Sequence, residues 1–146
     1  MSEAKQLTER LLEVWNKHDK NGFAAFTAED GRVTGVGGFS GKGKAGAEQF
    51  FAMWHDSFPD NKVTARRITS EGNVAILEGT FSGTHTGTLQ APAGAIPATG
   101  KKVSQNFVNA ITYSGGKIKE SDVIFDQMEL LAQLGVVPSP AAAGAR

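Results

Sequence analysis

The order of patterns in this chain predicts an α+β fold, with helices gathered on one face of a largely antiparallel sheet. Three observations carry that prediction. A helical stripe of apolar residues spans residues 3–18, and a second spans 44–58. Strand-like runs then follow one another from residue 62 to residue 126, separated by turn signals rich in glycine or proline. A length of 146 residues suits one domain with an ordinary core, expected over residues 1–137.

The first stripe carries Leu7, Leu11, Trp15 and His18 at spacings of four, four and three, widened by Leu12 and Val14. Asn16, Asp19, Asn21 and Gly22 break it, and Phe23 and Phe26 suggest a short second helical turn. Residues 30–40 read two ways: Val33 and Val36 suit a short strand, whereas the glycines between Gly31 and Gly41 argue for turns. The next helix starts near Lys44, places Ala47, Phe50, Phe51, Trp54 and Phe58 on one face, and stops at Pro59.

Residues 62–69 alternate weakly, and Glu71-Gly72-Asn73 marks a turn. Residues 74–86 read as a long strand, with Ala75, Leu77, Gly79, Phe81, Gly83 and His85 on one side and Val74, Ile76, Glu78, Thr80, Ser82 and Thr84 on the other. Its glycines suit a strongly bent sheet. Residues 89–100 hold Pro92, Gly94, Pro97 and Gly100 and form a long connection. Residues 103–113 and 117–126 pair across Ser114-Gly115-Gly116, and a last helix, 127–134, carries Met128, Leu131 and Leu134.

The last strand poses the functional question. A period of two puts Glu120, Asp122, Ile124 and Asp126 on one face and Ser121, Val123 and Phe125 on the other. An unpaired buried charge is costly, so the acidic face meets either a wet pocket or bulk solvent. The helices cover one face of the sheet, and the other face, with Val123 and Phe125 in its last strand, would stay half-apolar if bare, so a homodimer partner is its simplest cover. In the preceding strand Asn106 shares a face with Ser104, Val108, Ala110 and Thr112, while Asn109 shares one with Gln105, Phe107, Ile111 and Tyr113. Either amide can orient a bound carbonyl, depending on which face is inside.

Composition removes several function classes. Fifteen basic and fifteen acidic side chains balance, so no global field favours nucleic acid or an anionic membrane. Cysteine is absent, which excludes disulfides, thiolate metal sites and cysteine nucleophiles. No apolar leader core follows Met1 and no run is long enough to span a bilayer, so a cytoplasmic location is expected. Residues 138–146, rich in Ala, Gly and Pro, read as a flexible tail. The histidines His18, His55 and His85 and the acids come from separated segments without short ligand spacing, so neither metal nor cofactor is expected. The glycine run ending at Lys44 is not a phosphate loop, since Ala45 stands where Ser or Thr is needed.

The pieces Trp15-Asn16-Lys17-His18-Asp19, Phe58-Pro59-Asp60, Gly83-Thr84-His85-Thr86-Gly87, Ile96-Pro97-Ala98-Thr99-Gly100-Lys101, Gly116-Lys117-Ile118-Lys119-Glu120 and Asp126-Gln127 resemble, in that order, the SnoaL-like polyketide cyclase family over residues 7–138. The resemblance implies the cone-shaped fold shared with nuclear transport factor 2 and ketosteroid isomerase: a curved, mixed sheet with N-terminal helices on its concave face. It also implies cofactor-free ring closure of a polyketide ester, with an aspartate near the end of the last strand as acid/base. By position that aspartate is Asp126, in a family pattern Trp-x-x-x-Asp whose tryptophan position holds Asp122 here. The cyclases also use a histidine from the preceding strand, and this chain has none after His85.

The expected catalytic group is therefore Asp126, with Asp122, His18 and His85 as further candidates. An aspartate in an apolar cavity gains a raised pKa from desolvation and becomes a useful base. Its structural alternative is to cap the helix that follows. Asp122, four residues earlier and about 13 Å away on a regular strand, lines the pocket, faces solvent or pairs with Arg66 or Arg67. His18 either reaches the cavity from the first helix or satisfies that helix's last carbonyls. Trp15, Phe51, Trp54, Asn106 and Ile124 complete the expected pocket. The expected function is cyclase-like acid/base chemistry on a small, hydrophobic, carbonyl-bearing substrate. The alternatives are a non-catalytic binding or assembly domain of the same fold, or an isomerase, dehydratase or epoxide hydrolase.

Overall fold

The computed structural model describes residues 2–92 and 94–137; the tail expected at 138–146 lies outside them. Two helices open the chain, α1 (Glu3–Asn16) and α2 (Lys20–Ala24). Each starts on a side-chain cap: Ser2 accepts from the Lys5 amide at 3.1 Å, and Asp19 accepts from the Gly22 amide at 2.9 Å. The ambiguous segment that follows is a strand pair, β1 (Thr27–Thr34) and β2 (Ser40–Lys42), leading into α3 (Gly43–Ser57). Glycine is needed where β2 crosses the start of α3, because a Cβ on Gly41 would fall 2.7 Å from the Gly46 Cα.

The meander follows as expected: β3 (Lys62–Glu71), β4 (Val74–Thr84), β7 (Lys102–Ser114) and β8 (Lys117–Phe125), closed by α4 (Gln127–Gln133). The long connection between β4 and β7 contains a small hairpin of its own, β5 (Leu89–Ala91) and β6 (Gly94–Ile96). The main sheet runs β2-β1-β8-β7-β4-β3. Its one parallel pairing, β1 with β8, brings the first strand beside the last, and the other four pairings are antiparallel. Register shifts at Thr27/Arg32, Ala65/Arg67 and Thr112/Tyr113 interrupt three ladders, the irregularity that lets a sheet bend around a core. No helix among the described residues is long and apolar enough to cross a membrane.

The helices lie on one face of this sheet. Ala4, Leu7, Leu11 and Trp15 of α1 and Ala47, Phe50 and Phe51 of α3 meet Val63, Ala75, Ile111, Tyr113 and Ile118 of the strands. A second cluster of Phe58, Val103, Leu130 and Leu134 fastens α4 over the sheet's end. Burying Val, Leu, Ile or Phe side chains in this way contributes about 1.5–3 kcal/mol each.

The alternation along β8 settles which face is inside. Val123 packs against the core, whereas Ile124 is 58 % exposed and Glu120, Asp122 and Asp126 are exposed with it. The expectation of an acidic inner face and a bare Val123–Phe125 face is thus reversed. Desolvation explains the phase: a sheet covered on one side turns its apolar set inward and leaves three carboxylates in water.

Candidate functional site

Between helices and sheet lies a cavity of about 90 Å³, several times the ~10–15 Å³ needed to admit one water. Helices α1, α2 and α3 contribute Leu11, Leu12, Trp15, Phe23, Phe50 and Trp54, and α4 contributes Leu130. Strands β3, β4 and β8 add Val63, Leu77, Phe81, Val123 and Phe125, and β7 adds Gln105, Phe107 and Asn109. The aromatic walls brace one another edge to face: Trp54 meets Phe81 at 5.5 Å and Phe125 at 5.7 Å, and Trp15 meets Phe23 at 5.2 Å. The polar lining is two amides, Gln105 and Asn109, with the indole N–H groups of Trp15, which donates to Asn61 Oδ1 at 2.8 Å, and of Trp54; no residue of the lining is ionisable.

Each polar group on this wall is tied differently. The Ser121 hydroxyl donates to Asn109 Oδ1 across the β7–β8 ladder at 3.0 Å, and both residues are buried. Gln105 Oε1 accepts from Gln133 Nε2 at 3.4 Å, while its own Nε2 donates to the Asn106 carbonyl at 3.3 Å. Gln133 also pairs with the Ser104 backbone, accepting from its amide at 2.9 Å and donating to its carbonyl at 3.0 Å. That pairing holds α4, with its pocket residue Leu130, against β7.

Of the residues expected at a site, Trp15 and Trp54 line the cavity and the others do not. Asp126 is exposed and caps α4, accepting from the Glu129 amide at 3.1 Å. Asp122 points outward and accepts from the Thr34 hydroxyl at 2.5 Å. Ile124 and Asn106 share that outer face, where Asn106 accepts from Arg66 at 2.8 Å and from Thr80 at 3.0 Å. Phe51 lies behind the lining, packed on Trp15 and Phe23 and stacked on the His55 ring at 3.6 Å. Its neighbour Phe50 takes the lining position, one residue being over a quarter turn of helix.

His18 lies beyond the end of α1 with φ +57, so it leaves the helical stripe on which the spacing had placed it. Its Nε2 donates to the Asn61 carbonyl at 3.2 Å, and its ring meets His55 edge-on at 4.5 Å. His55 sits between the carbonyls of Phe51 (Nδ1, 3.0 Å) and Trp15 (Nε2, 3.1 Å). Burial nonetheless holds its pKa below the usual histidine value, the two carbonyls opposing the shift. His85 is wholly buried beside Phe58; its Nδ1 accepts from the Thr99 amide at 3.2 Å and meets the Thr99 hydroxyl at 2.9 Å. That leaves the proton on Nε2, which has no partner among the described residues. Burial lowers its pKa also. His85 therefore pins the β5–β6 excursion to the end of β4. The described residues contain no group of three His, Asp or Glu side chains arranged for a metal ion.

The geometry joins a small aromatic-walled cavity to a buried hydroxyl–amide pair and keeps the carboxylates of β8 outside. A family model described as SnoaL-like polyketide cyclase matches residues 5–134. No curated protein matches the chain in sequence. Among solved structures, AclR from Streptomyces galilaeus, a candidate hydroxylase, superposes with a TM-score of 0.81 at 23 % identity, covering 99 % of this chain and 90 % of its own. A candidate SnoaL-like polyketide cyclase from Jannaschia sp. CCS1 gives 0.80 at 18 % identity, with 93 % and 94 % covered. IdmH from Streptomyces antibioticus, a candidate polyketide cyclase, gives 0.73 at 23 % identity, with 90 % and 98 % covered.

Proposed function

Because the chain belongs to the SnoaL-like polyketide cyclase family, we propose that its cavity receives a small, mostly apolar molecule, and that binding is the activity its geometry supports best. The observation that carries this reading is the lining: aromatic and aliphatic on every element, with two amides and no ionisable group. A pocket of that kind gains affinity from apolar burial and orientation from a few polar contacts. The fold leaves the chemistry open, since its structural neighbours are named for a hydroxylase and for cyclases. Both tryptophans of the chain, Trp15 and Trp54, line the cavity, so their emission reports occupancy. Titration with cumene, a neutral hydrocarbon, is expected to give a saturable change. A response that grows linearly without saturating contradicts the reading.

The family match favours a second reading, cofactor-free cyclisation of a carbonyl-bearing substrate. In it the aromatic walls hold the substrate folded, water at the cavity mouth takes the α-proton, and the Asn109 amide stabilises the developing enolate oxygen. Asp126 supplies no proton in this arrangement, so Asp126→Asn is expected to leave any turnover within about twofold of the wild type; a loss of two orders of magnitude restores it as the acid/base.

We also propose a homodimer through the outer sheet face. Ile124, 58 % exposed beside Val108, supplies apolar surface. Arg66 and Arg67 on β3 and Glu120 and Asp122 on β8 give a charge pattern that a twofold axis between β7 and β4 sets in opposition. Light scattering is expected to give twice 15.4 kDa, falling to the monomer in Ile124→Asp. A monomeric wild type contradicts the proposal.

A further inference from the structure

Resting on the reading of the cavity as a small-molecule pocket, we propose that Asn109 is its recognition residue, that Ser121 is a positioning residue, and that the guest is a neutral carbonyl compound. Only one end of the Asn109 amide is free. The Ser121 hydroxyl, buried on the neighbouring strand, occupies Asn109 Oδ1 at 3.0 Å. That contact fixes the amide's direction and leaves Nδ2 as the unused end, with no acceptor among the described residues. Asn109 is 9 % exposed, and what exposure it has belongs to the cavity wall it helps to form. The other amide on the wall, Gln105, is already engaged at both ends.

The cavity thus offers the unpaired Asn109 Nδ2, with the Trp54 indole N–H as the other donor without a partner among the described residues, on an apolar wall that carries no charge. A hydrocarbon guest leaves the Asn109 donor dry and unpaired. An anion pairs with it but gives up its hydration without meeting a cation. A ketone, ester or lactone carbonyl satisfies the donor and brings no charge with it.

Three probes of one shape separate these cases: cumene, acetophenone and benzoate, followed at pH 8 by ligand-observed NMR and by the side-chain amide resonance of Asn109. Acetophenone is expected to bind about tenfold more tightly than cumene, and benzoate at least ~100-fold more weakly than acetophenone. The Asn109 amide signal shifts with acetophenone and not with cumene. In Asn109→Leu, acetophenone loses most of its advantage over cumene while cumene itself is retained; in Ser121→Ala, the preference shrinks and the free amide signal broadens. The wild-type comparison stands without either variant. Equal binding of acetophenone and cumene with no amide shift overturns the recognition role and leaves the apolar pocket intact. Benzoate binding as tightly as acetophenone overturns the neutral-guest assignment. If none of the three binds, the pocket reading falls and this assignment with it.

Discussion

Strands β7 and β8 present two chemically unlike surfaces from one pair of chains. Inward stand Gln105, Phe107, Asn109, Ser121, Val123 and Phe125; outward stand Asn106, Glu120, Asp122 and Ile124, with Asp126 just past the strand end. The inner surface carries amide and hydroxyl dipoles among aromatic rings, while the outer one carries the carboxylates. The difference teaches that acid/base chemistry on this scaffold depends on strand phase more than on which residues are present. Three acids lie within seven residues of sequence, yet none reaches the cavity, because each occupies the alternate phase.

The comparison breaks most sharply where the inner surface is truncated. Phe58, wholly buried between α4 and the sheet, is expected to cost about 3–5 kcal/mol as Phe58→Ala. Ile124→Ser on the outer face is expected to stay within about 0.5 kcal/mol. Urea denaturation curves under conditions that keep both variants monomeric check the contrast. Next comes charge placed on the wrong side. Val123→Asp is expected to destabilise by about 2–3 kcal/mol at pH 7, with part of the loss recovered near pH 4 as the introduced acid protonates. Equal stability at both pH values would show that the cavity wall is wetter than its lining implies.

The two buried histidines add a pH dependence with a definite sign. Both His55 and His85 are held below the ordinary value of 6.5 by burial. The unfolded chain therefore binds more protons than the native one just below that value. The stabilisation is present above pH 6.5 and is lost as pH falls from 6.5 through the lowered native values. Thermal melts between pH 7.5 and 5 are expected to show the decline, and His85→Asn is expected to flatten part of it. A melt that rises on acidification contradicts the burial of these rings.

A smaller effect belongs to Asp126. As the cap of α4, Asp126→Ala is expected to cost about 1 kcal/mol and Asp126→Asn far less, since Asn caps as well as Asp. Chemical denaturation checks the order of the two. Equal destabilisation would mean that the charge matters and the cap does not.

Most of the architecture was legible from spacing. The stripe at Leu7, Leu11 and Trp15 lies within α1, α3 ends two residues before Pro59, and the glycine turn at 115–116 separates β7 from β8. The pocket was less legible, and for a definite reason. Period two divides a strand into two sets without saying which is covered, so Asn106 and Asn109 could not be ranked from their own strand. A signal was available one strand later: Ser121, Val123 and Phe125 form a more apolar set than Glu120, Asp122, Ile124 and Asp126, and burial follows the apolar set. His18 was misplaced because a left-handed residue outside glycine leaves no mark in a periodicity. Phe50 and Phe51 are adjacent on a broad stripe, and the choice between them depends on where α1 and α2 lie.

The central claim, that a guest rests on the inner surface while the carboxylates of β8 stand apart from it, is tested most directly by cumene affinity in two variants. Val123→Phe fills the cavity and is expected to abolish saturable binding, whereas the double variant Asp122→Asn with Asp126→Asn is expected to stay within about twofold of the wild type. Binding that survives the filled cavity, or that drops tenfold when the outer acids are neutralised, contradicts the account.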